Sequence, residues 1–192
     1  MIIGLTGTFA AGKDTVAEYF EKNKGFEHFS TGAVAVEIAK NRGIEPTRDN
    51  LRELGNALRD EHGPEYLSRQ VIEKKAKTDK VVVTGLRQTG EVEYLKSLGN
   101  FFLIAVDAPI ELRFRRMQSR QRAGDPTTIE EMREKEKKEM NSTDNNAQNI
   151  KECMDMANYF IVNDGSIEKL NHNAEKIYQQ ITSGQKPSSR LG

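Results

Sequence analysis

The chain has 192 residues, and its 29 lysines and arginines balance 29 aspartates and glutamates, so the formal net charge is zero. No global field draws it to nucleic acid or to a membrane surface, and its longest apolar run, residues 101–106, is far too short to cross a bilayer. The one cysteine, Cys153, excludes an intrachain disulfide; with no basic-then-apolar leader, a cytoplasmic setting is expected.

Residues 2–6 form an apolar run that reads as a buried strand. It leads directly into Gly7-Thr8-Phe9-Ala10-Ala11-Gly12-Lys13-Asp14-Thr15, the pattern G-x-x-x-x-G-K in the strand–turn–helix context that the pattern requires. Glycines let such a turn wrap its N–H groups around a phosphate, and the following helix adds the positive end of its dipole. Lys13 supplies a point charge for the outer phosphates. Asp14 stands where Ser or Thr normally follows the lysine. A helix is predicted over 14–24, with Val16, Ala17 and Phe20 inside and Glu18, Glu21 and Lys22 outside.

A weaker strand follows at 26–30, then helices at 31–42, 48–62 and 64–78. Further strands are predicted at 80–84, 101–106 and 159–162, and further helices at 91–98, 109–121, 128–140, 150–157 and 166–182. Pro64 and Pro109 fit first-turn positions. The strands are apolar on successive residues, as a parallel sheet covered on both faces requires. The alternation predicts one three-layer α/β domain over 1–182 with a mostly parallel five-stranded sheet. Residues 183–192 read as a disordered tail. Cys153, on a short helical stretch without an evident partner, reads as a packed thiol. The charge run 133–138 reads as a solvated helix surface.

Ligands of open α/β sheets bind beyond the C-terminal strand ends. Those ends are Thr6-Gly7, Thr84-Gly85-Leu86-Arg87, Asp107-Ala108-Pro109 and Asn163-Asp164-Gly165. Arg87, directly after a buried strand, is expected to face a ligand. Arg48, Arg52 and Arg59 share one helical stripe with Gly55, while Leu51, Leu54 and Leu58 form the core stripe; the basic stripe is either a ligand face or a solvated one. Arg113, Arg116 and Arg120 share another face, followed by Arg122 in a turn-rich break. That face either stabilises charge on a transferring phosphoryl group or makes surface ion pairs. His28 and His62 read as structural or solvated.

Taken with these motifs, the chain from residue 2 to about 181 resembles the nucleoside monophosphate kinase group of P-loop proteins, which includes dephospho-CoA kinases and phage-type deoxynucleotide kinases. Gly12-Lys13-Asp14-Thr15-Val16-Ala17 resembles the loop of the deoxynucleotide kinases. Ser30-Thr31-Gly32 resembles the start of the monophosphate-binding helix of adenylate kinases, and Gly85-Leu86-Arg87 their arginine that holds the acceptor phosphate. Asp107-Ala108-Pro109, the arginine-rich helix and Asn163-Asp164-Gly165 are similar to dephospho-CoA kinases.

The resemblance implies a P-loop kinase fold with acceptor-binding helices at 31–78 and a short lid at 120–128. It implies ATP and Mg²⁺ as cofactors and a small-molecule phosphate acceptor as partner, with neither nucleic acid nor membrane. ATP would be held by Gly7, Thr8, Ala10, Ala11, Gly12, Lys13, Asp14 and Thr15, with Arg116 and Arg120 and with Asn163, Asp164 and Gly165 near adenine. The acceptor would meet Thr31, Gly32, Arg48, Arg52, Arg59 and Arg87. Lys13, Asp14, Arg87, Arg120 and Arg122 would serve catalysis, and Asp14 and Thr15 the metal.

The implied reaction is transfer of the γ-phosphoryl group of ATP to a nucleoside or deoxynucleoside monophosphate. The alternatives are a dephospho-CoA kinase and a non-catalytic nucleotide-binding regulatory module. Three departures bear on these. Asp14 follows the lysine, Thr84 replaces an aspartate near the metal, and Ala33 replaces the aspartate after Ser-Thr-Gly.

Overall fold

A computed structural model describes residues 1–74, 76–120, 124–140 and 148–185. Arg122, the 121–123 part of the expected lid and most of the expected tail, 186–192, lie outside the described residues. In chain order the elements are β1 (Ile2–Gly7), α1 (Lys13–Lys24), β2 (Glu27–Ser30), α2 (Thr31–Asn41), α3 (Arg48–His62), α4 (Tyr66–Lys74) and β3 (Val81–Thr84). There follow α5 (Thr89–Ser97), β4 (Phe101–Asp107), α6 (Ile110–Arg120), α7 (Ile129–Met140), α8 (Ile150–Asp155), β5 (Tyr159–Val162) and α9 (Ile167–Ser183). The strands form one sheet in the order β2-β3-β1-β4-β5, parallel at every pairing.

Both sheet faces are covered, which is why the strands carry unbroken apolar runs. On one face Ile3, Leu5, Ile104 and Ile161 pack with Phe20 of α1 and Ile177 of α9. On the other, Val81, Val83 and Leu103 pack with Leu58, Val71 and Leu95 of α3, α4 and α5. Cys153 is buried in this second core, and burial raises its thiol pKa further above the ordinary value. That is the packed, inert cysteine the sequence suggested.

Several boundaries differ from the periodicity. α5 begins at Thr89, because Gln88 and Glu91 form a reciprocal capping box that starts the helix two residues early. α4 is described over Tyr66–Lys74, and residues 76–78 of the predicted helix are not helical.

The larger correction concerns α7. The charge run 133–138 predicts a solvated helix, yet Met132, Glu136 and Glu139 are buried, at spacings of four and three that define one inward stripe. Met132 packs with Met117 of α6 and Phe9 in a third, small cluster. The two carboxylates on that stripe are tolerated because each meets a guanidinium.

Candidate active site

The candidate site segments lie at one edge of the sheet, beyond the strand ends, and polar side chains lock them together. Thr6 Oγ1 donates to Leu86 O at 2.8 Å, joining β1 to the end of β3. Thr8 Oγ1 donates to Asp107 Oδ1 at 2.6 Å, joining the loop to the end of β4. Asn163 N donates to Asp107 O at 2.7 Å, and Asn163 Nδ2 to Ala11 O at 2.8 Å, bringing in β5. The expected convergence of four distant strand ends is thus a set of specific bonds.

The loop itself depends on two glycines. Gly7 has φ of +131°, and a Cβ there would lie 1.9 Å from Val106 O on the neighbouring strand. Gly12 has φ of +104°, and its Cβ would meet Asn163 Nδ2 at 2.5 Å. Neither position admits a side chain. Gly12 also occupies the N-cap of α1 without any side-chain cap. The first N–H groups of that helix therefore have no side-chain cap and lie at the place where phosphate oxygens would accept from them.

Lys13 opens α1 and folds back over the loop, donating from Nζ to Gly7 O at 2.8 Å and Thr8 O at 2.6 Å. Its ammonium is crowded: desolvation first and the neighbouring Arg87 second lower its pKa to about 7, against the opposing pull of Asp14 and Glu139. Arg87 and Glu139 are thus close enough for Lys13 to feel their charges, although 126 residues separate Lys13 from Glu139. Asp14 is exposed beside it.

The arginines do not act as two uniform faces. Arg87 donates to Glu139 Oε2 at 3.0 Å. Arg48 stacks on the Phe9 ring, 4.1 Å from its centroid, with Asp125 at 3.4 Å and Glu139 at 3.6 Å. Arg120 forms a two-pronged pair with Asp125 at 3.0 and 3.1 Å. These three, from α3, the β3 end and the α6 end, surround two carboxylates, the buried Glu139 and the partly buried Asp125.

Arg59 is instead turned inward, 3 % exposed, with Glu91 of α5 at 3.8 Å. Gly55 lies one turn before it on the same face, and a Cβ there would touch Arg59 Nη1 at 3.4 Å, an ordinary contact distance. Among the described residues Arg52 has distant pairs with Asp49 and Glu53, at 3.9 and 4.0 Å. The stripe of Arg48, Arg52 and Arg59 is divided among three environments, because its Arg59 end turns inward to Glu91 while Arg48 reaches Phe9 and Glu139.

The second arginine face is divided as well. Arg113 is buried, donating to Ala108 O, to Phe9 O and to both oxygens of Glu136. Glu136 also accepts from Phe9 N at 3.2 Å, so α6 and α7 clamp the loop at Phe9. Arg116 donates to Asn163 O and Oδ1 at 3.2 and 3.3 Å. Asn163 is buried as a brace between Arg116 and the loop, while Asp164 is exposed and paired with Lys169 at 2.9 Å, with Gly165 against the same lysine. Thr31 is spent on structure too, donating to Gly85 O at 2.8 Å, next to the exposed Gly32.

Among the described residues no group of three or more His, Cys, Asp or Glu could form a metal cage. Mg²⁺ at a phosphoryl-transfer site needs less: one or two protein oxygens beside substrate phosphates and waters. The Asp14 carboxylate and Thr15 hydroxyl in the first turn of α1 are oxygens of that kind and fit such an ion. Thr84 is not available, because its hydroxyl lies between His28 Nε2 at 3.1 Å and Phe29 O at 3.4 Å.

Sequence reasoning missed Phe9, Glu91, Asp125, Glu136 and Glu139. The i, i+4, i+7 spacing of Met132, Glu136 and Glu139 was the available signal, hidden by the surrounding charges.

Comparison with known proteins agrees with this architecture. The AAA domain family model matches residues 3–141. A UPF0200 protein of Hyperthermus butylicus is 33 % identical over 184 residues, covering 95 % of both chains. One from Pyrococcus abyssi is 36 % identical over 190 residues, covering 94 % of this chain and 97 % of its own. Shikimate kinase from Aquifex aeolicus shares the fold with a TM-score of 0.58 at 16 % identity, over 96 % of this chain and 98 % of that one. The fold is that of a P-loop kinase, and the chain belongs to the AAA-domain family of P-loop proteins and to the UPF0200 group.

Proposed function

We propose that the protein is an ATP-dependent phosphotransferase that passes the γ-phosphoryl group to a nucleoside or deoxynucleoside monophosphate. The observation that carries this reading is the meeting of Arg48 and Arg87 at Glu139: two guanidiniums of distant origin converge there, with Arg48 stacked on Phe9 of the donor loop. Among the described residues, the buried Arg48 Nη1 has no hydrogen-bond partner, a donor suited to an anionic acceptor. Guanidinium groups match phosphate oxygens in pairs. Shikimate kinase, which has this fold, is named for a small-molecule acceptor.

In this reading the N–H groups of residues 7–15 and Lys13 hold the nucleotide phosphates. Asn163 and Arg116 keep the loop in shape. Helices α2 to α4 form the acceptor side, with Arg87 and Arg48 on the acceptor phosphate. Arg120 offers charge at the transferring group, and Asp14 and Thr15 would hold Mg²⁺, which when bound neutralises charge on the outer phosphates. Catalysis is then mostly positioning and charge stabilisation, and an already ionised acceptor oxygen needs no general base.

A second reading, a hydroxyl acceptor such as the ribose of dephospho-CoA, is favoured by the exposure of Asp14, which leaves its carboxylate accessible as a base. One experiment separates these. The chain is assayed with ATP and Mg²⁺ against nucleoside monophosphates, deoxynucleoside monophosphates and dephospho-CoA. Turnover with a monophosphate and none with dephospho-CoA is the expected result. The reverse selects the second reading, and ATP binding without any transfer selects a non-catalytic module.

A further inference from the structure

We infer that Glu139 biases which acceptors enter: its carboxylate stands in for a phosphate between Arg87 and Arg48, and a dianionic group displaces it more readily than a monoanion does. The inference rests on the kinase reading above. Glu139 comes from α7, 52 residues from Arg87, and its side chain is 3 % exposed. It fills the space between the two guanidiniums without satisfying them. Oε2 accepts from Arg87 at 3.0 Å, while Oε1 lies 3.6 Å from Arg48 Nη1, which has no hydrogen-bond partner among the described residues.

Charge bookkeeping sharpens this. Three guanidiniums, Arg48, Arg87 and Arg120, share two carboxylates, Asp125 and Glu139, with the Lys13 ammonium close by. A monoanion that replaced Glu139 would leave that deficit as it was and would still have to break the Arg87–Glu139 bond. A phosphate monoester carries about −1.5 to −2 at neutral pH and offers three acceptor oxygens, so it closes the deficit and reaches both arginines. Glu139 thus raises the threshold for weak anions more than for phosphate monoesters, which is discrimination by a built-in competitor.

The test is anion binding by the full chain saturated with ADP, so that the donor loop is already filled. Methyl phosphate and methyl sulfate are titrated calorimetrically at about pH 8, where the phosphate ester is a dianion and the sulfate ester a monoanion. The wild type should prefer methyl phosphate by about tenfold, as expected for charge-assisted bonds. Glu139→Gln should bind methyl sulfate about tenfold more tightly and discriminate by less than about threefold, whereas Glu139→Asp should keep the preference.

Unchanged or weaker methyl sulfate binding by a folded Glu139→Gln chain overturns the inference and leaves Glu139 a plain structural counter-ion. Arg48→Gln gives a second reading on a chain that keeps Glu139: with one cation fewer the preference for the dianion should fall, and an undiminished preference is equally fatal. Absence of ADP binding strikes down the kinase reading and this inference with it. ADP binding with anion selectivity indifferent to Glu139 strikes down this inference alone.

Discussion

Asn163, at the end of β5, donates its side-chain N–H to Ala11 O at 2.8 Å, holding the phosphate loop from a point 152 residues away. The same amide is oriented by Arg116, and Gly12 is obliged to be glycine because Asn163 lies against it. Asn163→Ala should therefore loosen the loop without removing any group that faces phosphate. Losing a buried bond of this kind costs about 2 kcal/mol, so nucleotide affinity should fall by more than about tenfold. Titration with ATP, beside a chemical unfolding curve, checks this; full affinity would show that the loop keeps its shape unaided.

Lys13 supplies a pH-dependent signature. Burial and Arg87 lower its pKa to about 7, from an ordinary 10.5. Below that folded value the ammonium is charged in both folded and unfolded chains, and its desolvation penalty is felt in full. Between the two values the unfolded chain binds the proton that the folded chain has released, so stability rises with pH across that window. Bound nucleotide phosphates favour the charged form, so ATP binding at about pH 8 should take up a proton. Calorimetry in two buffers of different ionisation enthalpy measures that uptake, which should vanish in Lys13→Met along with most of the affinity.

Arg59 and Glu91 form a buried pair whose members are both almost wholly shielded, and burial raises the Glu91 pKa against the opposing pull of Arg59. Removing one partner leaves a buried charge, a loss of about 3 kcal/mol. Arg59→Met should lower the melting temperature accordingly, and the double variant Arg59→Met with Glu91→Gln should recover most of it, since Gln retains an oxygen for the Arg87 and Gln88 N–H groups. Recovery of stability would mark Arg59 as a brace of α3 against α5. A stable Arg59→Met chain with a raised acceptor KM would return it to the acceptor site.

The loop, the five parallel strands and the meeting of their polar ends were all legible in the sequence, because each follows from local rules: glycine where φ is positive, apolar runs where both faces are covered. The carboxylates were not. Glu136 and Glu139 sit in a run of charges whose neighbours are exposed, and only the partners Arg113, Arg87 and Arg48, brought from other elements, explain why those two point inward. Arg48, Arg52 and Arg59 share a helical stripe, but a stripe says nothing of what packs against it. Helical periodicity gives the direction of a side chain and tertiary packing gives its partner, so the arginines could be found before their roles could.

Asp14 is the residue whose substitution best separates the two enzyme readings. It lies exposed in the first turn of α1, next to Lys13, where a carboxylate can serve a Mg²⁺ ion or take a proton from an acceptor hydroxyl. With a monophosphate acceptor the nucleophile is already an anion. Asp14→Ala should then act through the metal alone, with a raised Mg²⁺ requirement and a rate restored at saturating Mg²⁺. With a hydroxyl acceptor the base is lost, and kcat should fall by about a hundredfold or more whatever the metal concentration. Steady-state rates across a Mg²⁺ series, with the monophosphate and with dephospho-CoA, distinguish the two. The proposal made above requires the metal-rescued pattern, and a rate that stays low with the monophosphate at saturating Mg²⁺ would count against it, since no group in that mechanism needs Asp14 as a proton acceptor.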